Sequence, residues 1–345
     1  MAQDTKIAWC DHTVNFWWGC TKVSPACANC YAERQDAHFH PGIPWKERFQ
    51  GEKAGSSHWG PDAPRLLRVD AARREALRYE RRAVAEGRRF RVFTNSMSDF
   101  FEDRRDLDGA RLEALDVIRQ TPHLDWLILT KRPEKIRELL TRAQNGIQAD
   151  LLVGNRPGPR LMELRSWLYD WLDNGNAPAN VWLGTTVEDQ GRADQRIPAL
   201  LQVPAAVRFL SCEPLLGPVD LRCVSPYHNP GGGRLGLDAL APGAMHLDWV
   251  ICGGESGPHA RPMHPDWARG LRDQCAAAGV PFLFKQWGEW FPMGAGGEWP
   301  GRNNWRVAGS FAHDPHQYIV KTGKHAAGRL LDGVEHLAFP EVGRV

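Results

Sequence analysis

A chain of 345 residues, 42% of them hydrophobic, carries enough apolar material for a substantial core, and its length admits two domains or one α/β barrel. A formal net charge of +2 encodes no overall attraction to nucleic acid or membrane, so local charge has to carry any such argument. No apolar run is long enough to cross a bilayer, and the opening MAQDTKIAW has no basic segment backed by an apolar one, so a cytoplasmic protein free of membranes is expected.

The first strand is predicted at the apolar run Ile7-Ala8-Trp9. The segment behind it, GCTKVSPACANCYAE, spaces Cys20, Cys27 and Cys30 as C-x6-C-x2-C, with Tyr31 directly after the last thiol. A reducing compartment keeps such thiols available as ligands. A structural zinc site takes four protein ligands, and so does an electron-transfer iron–sulfur cluster. Three thiolates on a [4Fe–4S] cluster leave one iron open, and an open coordination position is where a metal site does chemistry. The loop therefore reads as the seat of a reactive [4Fe–4S] cluster. Two other readings stand beside it: a zinc site completed by Cys10, and ordinary buried thiols. Cys10 keeps the company of the predicted strand, which favours three ligands over four. The remaining cysteines, Cys212, Cys223, Cys252 and Cys275, are scattered without a disulfide framework.

Ten arginines lie between Arg65 and Arg91, opposed only by Asp70, Glu75, Glu80 and Glu86. On a helix, Arg74, Arg78, Arg81 and Arg82 share one face while Leu66, Leu77 and Val84 turn inward. Such a stripe suits a phosphate backbone, and it equally suits a solvated face laced with ion pairs.

From residue 90 onward, short apolar runs end in polar residues and give way to helical stretches. The runs cover 90–93, 126–129, 181–183, 207–210, 249–252 and 281–284, each the length of a buried parallel strand. One helix opens at Pro133 and closes at Asn145-Gly146; another runs from Pro265 to Gly279 with Trp267, Leu271, Cys275 and Ala278 on one face. With the first strand these units predict an α/β fold, a partial or complete TIM-like (β/α) barrel of parallel strands, with an open doubly wound sheet as the alternative. Both gather the polar strand ends at the carboxyl edge, which here collects Asn95, Ser96, Thr130, Lys131, Thr185, Thr186, Glu188, Ser211, Glu213, Glu255, Lys285 and Gln286. The barrel is expected to span 1–290, with insertions at 142–180 and 222–247, the latter a flexible loop around Gly231-Gly232-Gly233; 291–345 form an irregular extension packed on it. The 15 tryptophans are about three times the ordinary usage. Trp17, Trp18, Trp59, Trp287 and Trp290 are placed to stack a base, with core packing the plainer reading of each. The 13 histidines match no metal-site spacing.

The cysteine loop and the βα units behind it resemble the radical S-adenosylmethionine (SAM) enzymes. The runs LILTKRPEKI, VWLGTTVEDQ, RFLSCEPLLGPVDL, DWVICGGESGP and PFLFKQWGEW together with GCTKVSPACANCYAE are similar to one branch, a phage- and bacterium-encoded family of unknown function whose members often accompany a "three-Cys-motif partner" protein. The resemblance implies a barrel of radical SAM type, a [4Fe–4S] cluster on Cys20, Cys27 and Cys30, and SAM chelating the open iron. An external electron donor then drives reductive cleavage of SAM and hydrogen abstraction from substrate. Tyr31 would pack near cluster and adenine, and Tyr31, Asn95, Ser96, Thr130, Lys131 and Glu255 make up the cofactor-side set. Two departures stand out. The common spacing is C-x3-C-x2-C, so this loop has three additional residues, and the glycine–glycine–glutamate that usually ends the second strand here ends a later one, as Gly253-Gly254-Glu255. Asn95 and Ser96 are therefore the positional candidates for the SAM amino group, and the individual purpose of Glu255 is unassigned. Lys131 and Arg132 suit a carboxylate or phosphate.

Glu188, Glu213 and Lys285 are the catalytic candidates, the carboxylates serving ribose hydroxyls or proton transfer and one of them pairing with Lys285. The expected activity is radical SAM modification or repair of a nucleic acid or nucleotide, with Arg74, Arg78 and Arg81 gripping phosphates. The alternatives are a peptide-modifying radical SAM enzyme, an iron–sulfur subunit serving a partner protein, and a zinc-stabilised nucleic-acid-binding module.

Overall fold

Apolar runs bounded by turns form the parallel strands, and amphipathic stretches form the helices between them. The computed structural model describes residues 5, 7–40, 58–152, 158–228, 234–243, 245–293 and 308–341. In chain order the first elements are β1 (His12–Val14), β2 (Trp17–Trp18), α1 (Tyr31–Phe39), β3 (Leu66–Leu67), α2 (Val69–Glu86), β4 (Phe90–Thr94), α3 (Asp108–Gln120) and β5 (Leu124–Thr130). There follow α4 (Ile136–Leu152), α5 (Pro159–Leu172), β6 (Val181–Thr186), α6 (Gln190–Leu201), β7 (Val207–Cys212), β8 (Val224–His228), β9 (Arg234–Leu237), β10 (Trp249–Gly253) and α7 (Pro265–Ala278). The last are β11 (Phe282–Gln286), β12 (Trp290–Pro292), β13 (Ala308–Phe311), β14 (Asp314–Lys321) and α8 (Lys324–Ala327).

The main sheet has seven strands in the order β1-β4-β5-β6-β7-β10-β11. Its order follows the chain without reversal, so there is no switch point of the doubly wound kind, and the fold is a mixed α/β arrangement compatible with a partial TIM-like barrel. The registered pairs β1·β4, β4·β5, β7·β10 and β10·β11 are all parallel. Strands such as VWLGTT in β6 and WVICG in β10 are buried along their whole length, which explains their unbroken apolar character.

The chain divides into two units: Met1–Val23, Cys30–Gly184 and Val203–Ala206 make one; Ser24–Asn29, Thr185–Gln202 and Val207–Val345 make the other. The first packs around Phe16, Trp17, Phe90, Phe100, Phe101 and Trp126, the second around Phe209, Trp249, Leu271, Phe284 and Trp287. Among the described residues no helix is long and apolar enough to cross a membrane.

Several expectations need correction. The first strand is His12–Val14, not Ile7–Trp9, which form a turn; His12 stacks on Tyr79 at 4.0 Å, so an aromatic contact buries a residue that reads as polar. Asn145-Gly146 does not end its helix. The chain is helical through Leu152, and α5 completes a helical pair in the 142–180 insertion. Within 222–247, read from the sequence as a flexible loop, β8 and β9 pair antiparallel, with 229–233, Gly231-Gly232-Gly233 among them, outside the described residues. Part of the tail is regular: β12, β14 and β13 form an antiparallel sheet, with 294–307 and 342–345 outside the described residues. On α2 the inward face is Ala72, Ala76, Tyr79 and Ala83, while Val84 is 56% exposed, because small residues let the helix approach the core closely. The helix from Pro265 to Ala278 ends at Gly279 in the left-handed conformation, φ 69°, as expected. Trp17, Trp18 and Trp287 are core residues rather than stacking surfaces.

Candidate metal centre

In the first unit, β1 and β2 carry the chain past the carboxyl end of β4, where Gly19 donates its N–H to Met97 O at 3.0 Å. Gly19 adopts φ +102°, and a Cβ there would lie 2.2 Å from His58 O, so only glycine permits this path. Cys20 follows, half-buried, and Cys30 caps the start of α1 and packs against the small cluster of Trp18, Ala32 and Met97.

Two buried arginines hold the start of the cysteine loop. Arg132 donates through Nη2 to Thr21 O at 2.8 Å and places Nη1 3.8 Å from Cys20 Sγ and 2.8 Å from Asp99 Oδ2. Arg65 donates to Thr21 Oγ1 at 2.9 Å and forks onto Glu102 at 2.9 and 2.8 Å. Asp99 also accepts from Thr130 Oγ1 at 2.6 Å and Lys131 N at 3.0 Å. Burial pushes the Cys20 thiol up to about 12, with Asp99 adding to the rise and Arg132 opposing it. A metal ligated by Cys20 would therefore displace a proton, and the neighbouring guanidinium would ease the resulting negative charge. Asp99 and Glu102 are the residues sequence reasoning missed. The signal was present in SDFFED, where acidic residues flank a pair of phenylalanines a few residues past a strand.

The other candidates of this unit fall close by. Tyr31 is exposed and donates its hydroxyl to Ser96 O at 2.6 Å. Ser96 exchanges hydrogen bonds with Asn15 at 3.2 and 3.3 Å. Asn95 has φ 57° and accepts from Phe16 N at 2.9 Å, which leaves its buried Nδ2 without a hydrogen-bond partner among the described residues.

In the second unit, Cys27 ends the 3-10 turn Pro25–Cys27, and its Sγ lies 3.7 Å from Ser24 Oγ. Asn29 extends this segment, donating to Glu255 Oε2 at 3.1 Å and His259 O at 2.8 Å. Glu255 also takes Arg261 N and Nε at 2.8 Å each and Nη2 at 2.6 Å. Burial alone would raise the Glu255 carboxyl, but the Arg261 and Asn29 donors outweigh it and hold it below its ordinary value. The two glycines before it answer to close approach: a Cβ on Gly253 would meet Glu213 Oε1 at 2.6 Å, and one on Gly254 would meet Trp287 O at 1.9 Å.

Glu213 pairs with Lys285 at 2.8 Å, both half-buried. Glu188 is fully buried, takes Arg196 Nη1 at 2.8 Å on Oε2, and leaves Oε1 without a hydrogen bond among the described residues. Gln286 donates to Ser256 Oγ at 3.1 Å, with its buried Oε1 likewise unsatisfied. On α2 of the first unit, Arg74, Arg78 and Arg81 are exposed. Arg78 lies over the Tyr79 ring at 5.0 Å, and Arg82 pairs with Glu86 at 2.5 Å.

Cys20, Cys27 and Cys30 are each half-buried, as is Cys223, and a thiol neither exposed nor sealed in a core fits ligation, whereas Cys10, Cys212, Cys252 and Cys275 are buried. No curated protein and no solved structure matches the chain. A family described as a protein of unknown function, DUF5131, matches residues 4–340. With a match over nearly its whole length, the chain belongs to the DUF5131 family.

Proposed function

We propose that this chain is a radical SAM enzyme in which Cys20, Cys27 and Cys30 hold a [4Fe–4S] cluster. The observation that carries the reading is the half-buried three-thiol loop directly behind the first strand of a parallel sheet. The rival zinc reading needs Cys10 as fourth ligand. Cys10 precedes β1 beside Asp11, which pairs with Arg91 at the amino end of β4, whereas Gly19 and Cys20 lie past its carboxyl end beside Ser98. One strand length separates the two thiols, which favours three ligands. When bound, the cluster and SAM supply reductive cleavage of SAM and abstraction of a substrate hydrogen atom.

The chain's own residues have distinct parts in this. Arg132, held by Asp99, sets a positive charge beside Cys20 and offsets the negative charge of the ligated thiolate. Asn95 Nδ2, Glu188 Oε1 and Gln286 Oε1 are buried at strand ends with hydrogen-bonding capacity to spare. Within the first unit, the Asn95 Nδ2 donor suits the carboxylate of SAM rather than its amino group. Glu213 and Lys285 form a half-buried pair fit for proton transfer. The substrate we favour is a nucleic acid or nucleotide, on the strength of the exposed Arg74, Arg78 and Arg81.

The test is anaerobic purification followed by iron and sulfide analysis and an assay for 5′-deoxyadenosine under reducing conditions. Wild type is expected to hold about four irons and to cleave SAM, each single alanine variant of Cys20, Cys27 or Cys30 to lose both, and Cys212→Ala to keep its iron. A colourless wild-type protein carrying zinc alone overturns the reading. So does a cluster that survives Cys27→Ala.

A further inference from the structure

We propose that Asp36, His40 and His58 form a second metal site, distinct from the cysteine loop, that takes a divalent first-row transition ion, zinc in preference. Asp36 is fully buried on α1, His40 stands four residues on just past the end of that helix, and His58 comes from the segment ahead of β3. His40 Nδ1 lies 3.1 Å from Asp36 Oδ1, and His58 Nδ1 lies 3.0 Å from Oδ1 and 3.2 Å from Oδ2. One ligand atom from each residue falls within 4.8 Å of the other two.

These separations are compatible with ligation of a single ion. An ion about 2.0–2.1 Å from each ligand spaces ligand atoms by about 3.0 Å at a right angle and about 3.3 Å at a tetrahedral one. Two imidazole nitrogens and one carboxylate oxygen suit zinc or ferrous iron, and they do not suit calcium or magnesium, which take oxygen ligands. The surroundings also fix the ligands: the Trp18 ring meets His40 edge-on at 5.6 Å, and Arg65 Nη1 holds His58 O at 3.0 Å. An ion here ties the end of α1, the helix that begins beside Cys30, to the chain entering β3. Three protein ligands leave a coordination position for water.

The experiment uses the full chain, stripped of metal under anaerobic reducing conditions and titrated with cobalt(II). Thiolate ligands give cobalt an intense near-ultraviolet charge-transfer band, whereas nitrogen and oxygen ligands give visible ligand-field bands alone. A variant with Cys20, Cys27 and Cys30 replaced by serine isolates the second site and keeps this proposal separate from the cluster reading. That variant is expected to bind one cobalt with ligand-field bands only. Adding His40→Ala is expected to weaken binding by more than roughly a hundredfold, beyond what loss of an outer-shell partner costs. His58→Gln retains an amide donor for Asp36, so it is expected to keep the circular dichroism of the fold and still lose the ion. Zinc is also expected to raise the unfolding temperature of the wild-type chain and not that of His58→Gln. Absence of ligand-field bands in the serine variant, unchanged affinity in His40→Ala, or no zinc effect on wild-type unfolding each overturns the proposal and leaves a hydrogen-bonded His–Asp–His set.

Discussion

At the scale of single residues, backbone approach decides more than side-chain chemistry. Gly254 packs so closely on Trp287 O that Gly254→Ala is expected to cost about 2 kcal/mol or more, read as a lower midpoint in urea. Gly270 sits inside α7 with open space where a Cβ would go, so Gly270→Ala is expected to add about 0.5–1 kcal/mol in the same assay. If the two variants shift in the same direction, the steric account of the paired glycines is wrong. The Glu213–Lys285 pair was legible in the sequence, because strand ends point to it directly. Asp99, Glu102 and the histidines around Asp36 were not. Their meaning depends on partners distant in the chain, such as Arg132 for Asp99 and His58 for Asp36.

At the scale of elements, the turn bearing Cys27 and Asn29 is latched to the end of β10 through Glu255 and Arg261. The Glu255 carboxyl is held below its ordinary value, so the folded chain favours its ionised form. That contribution is complete above the unfolded carboxyl range and fades as pH falls through the lower folded value. The gap in unfolding temperature between wild type and Glu255→Gln should therefore narrow on acidification. A gap that stays constant from neutral pH downward would detach the latch from Glu255. Helix α2 carries a separate expectation. If Arg74, Arg78 and Arg81 each meet a phosphate, replacing all three by alanine should flatten the slope of log affinity against log salt by about 0.9 per contact. Arg82 serves as the comparison, since its pairing with Glu86 leaves it less to give. Equal slopes for the triple variant and wild type would move the substrate away from nucleic acid. Strand positions were readable because buried parallel strands are apolar throughout, whereas the β8–β9 hairpin was hidden by glycines that resemble a loop.

At the scale of the molecule, the chain-following order of the seven strands was foreseeable from alternating βα units, since right-handed crossovers between sequential strands leave few arrangements. The antiparallel tail sheet was not, because its strands carry little alternation: β14 reads DPHQYIVK. Within the first unit, one guanidinium has a wider reach than any other feature described. Arg65 gathers His58 O at 3.0 Å, Gly60 O at 3.0 Å, Ala63 O at 2.6 Å and Thr21 Oγ1 at 2.9 Å, while Gly60 N donates to Cys20 O at 3.0 Å. The backbone that presents Cys20 and the backbone that presents His58 are thus sewn into a single patch, with no room at Gly19 for slippage. Solvent exchange of the Gly60 amide hydrogen becomes a shared gauge of that patch: an ion seated beside His58, or one seated on Cys20, should slow it by the same local tightening. Exchange indifferent to both would mean that the two backbones open independently.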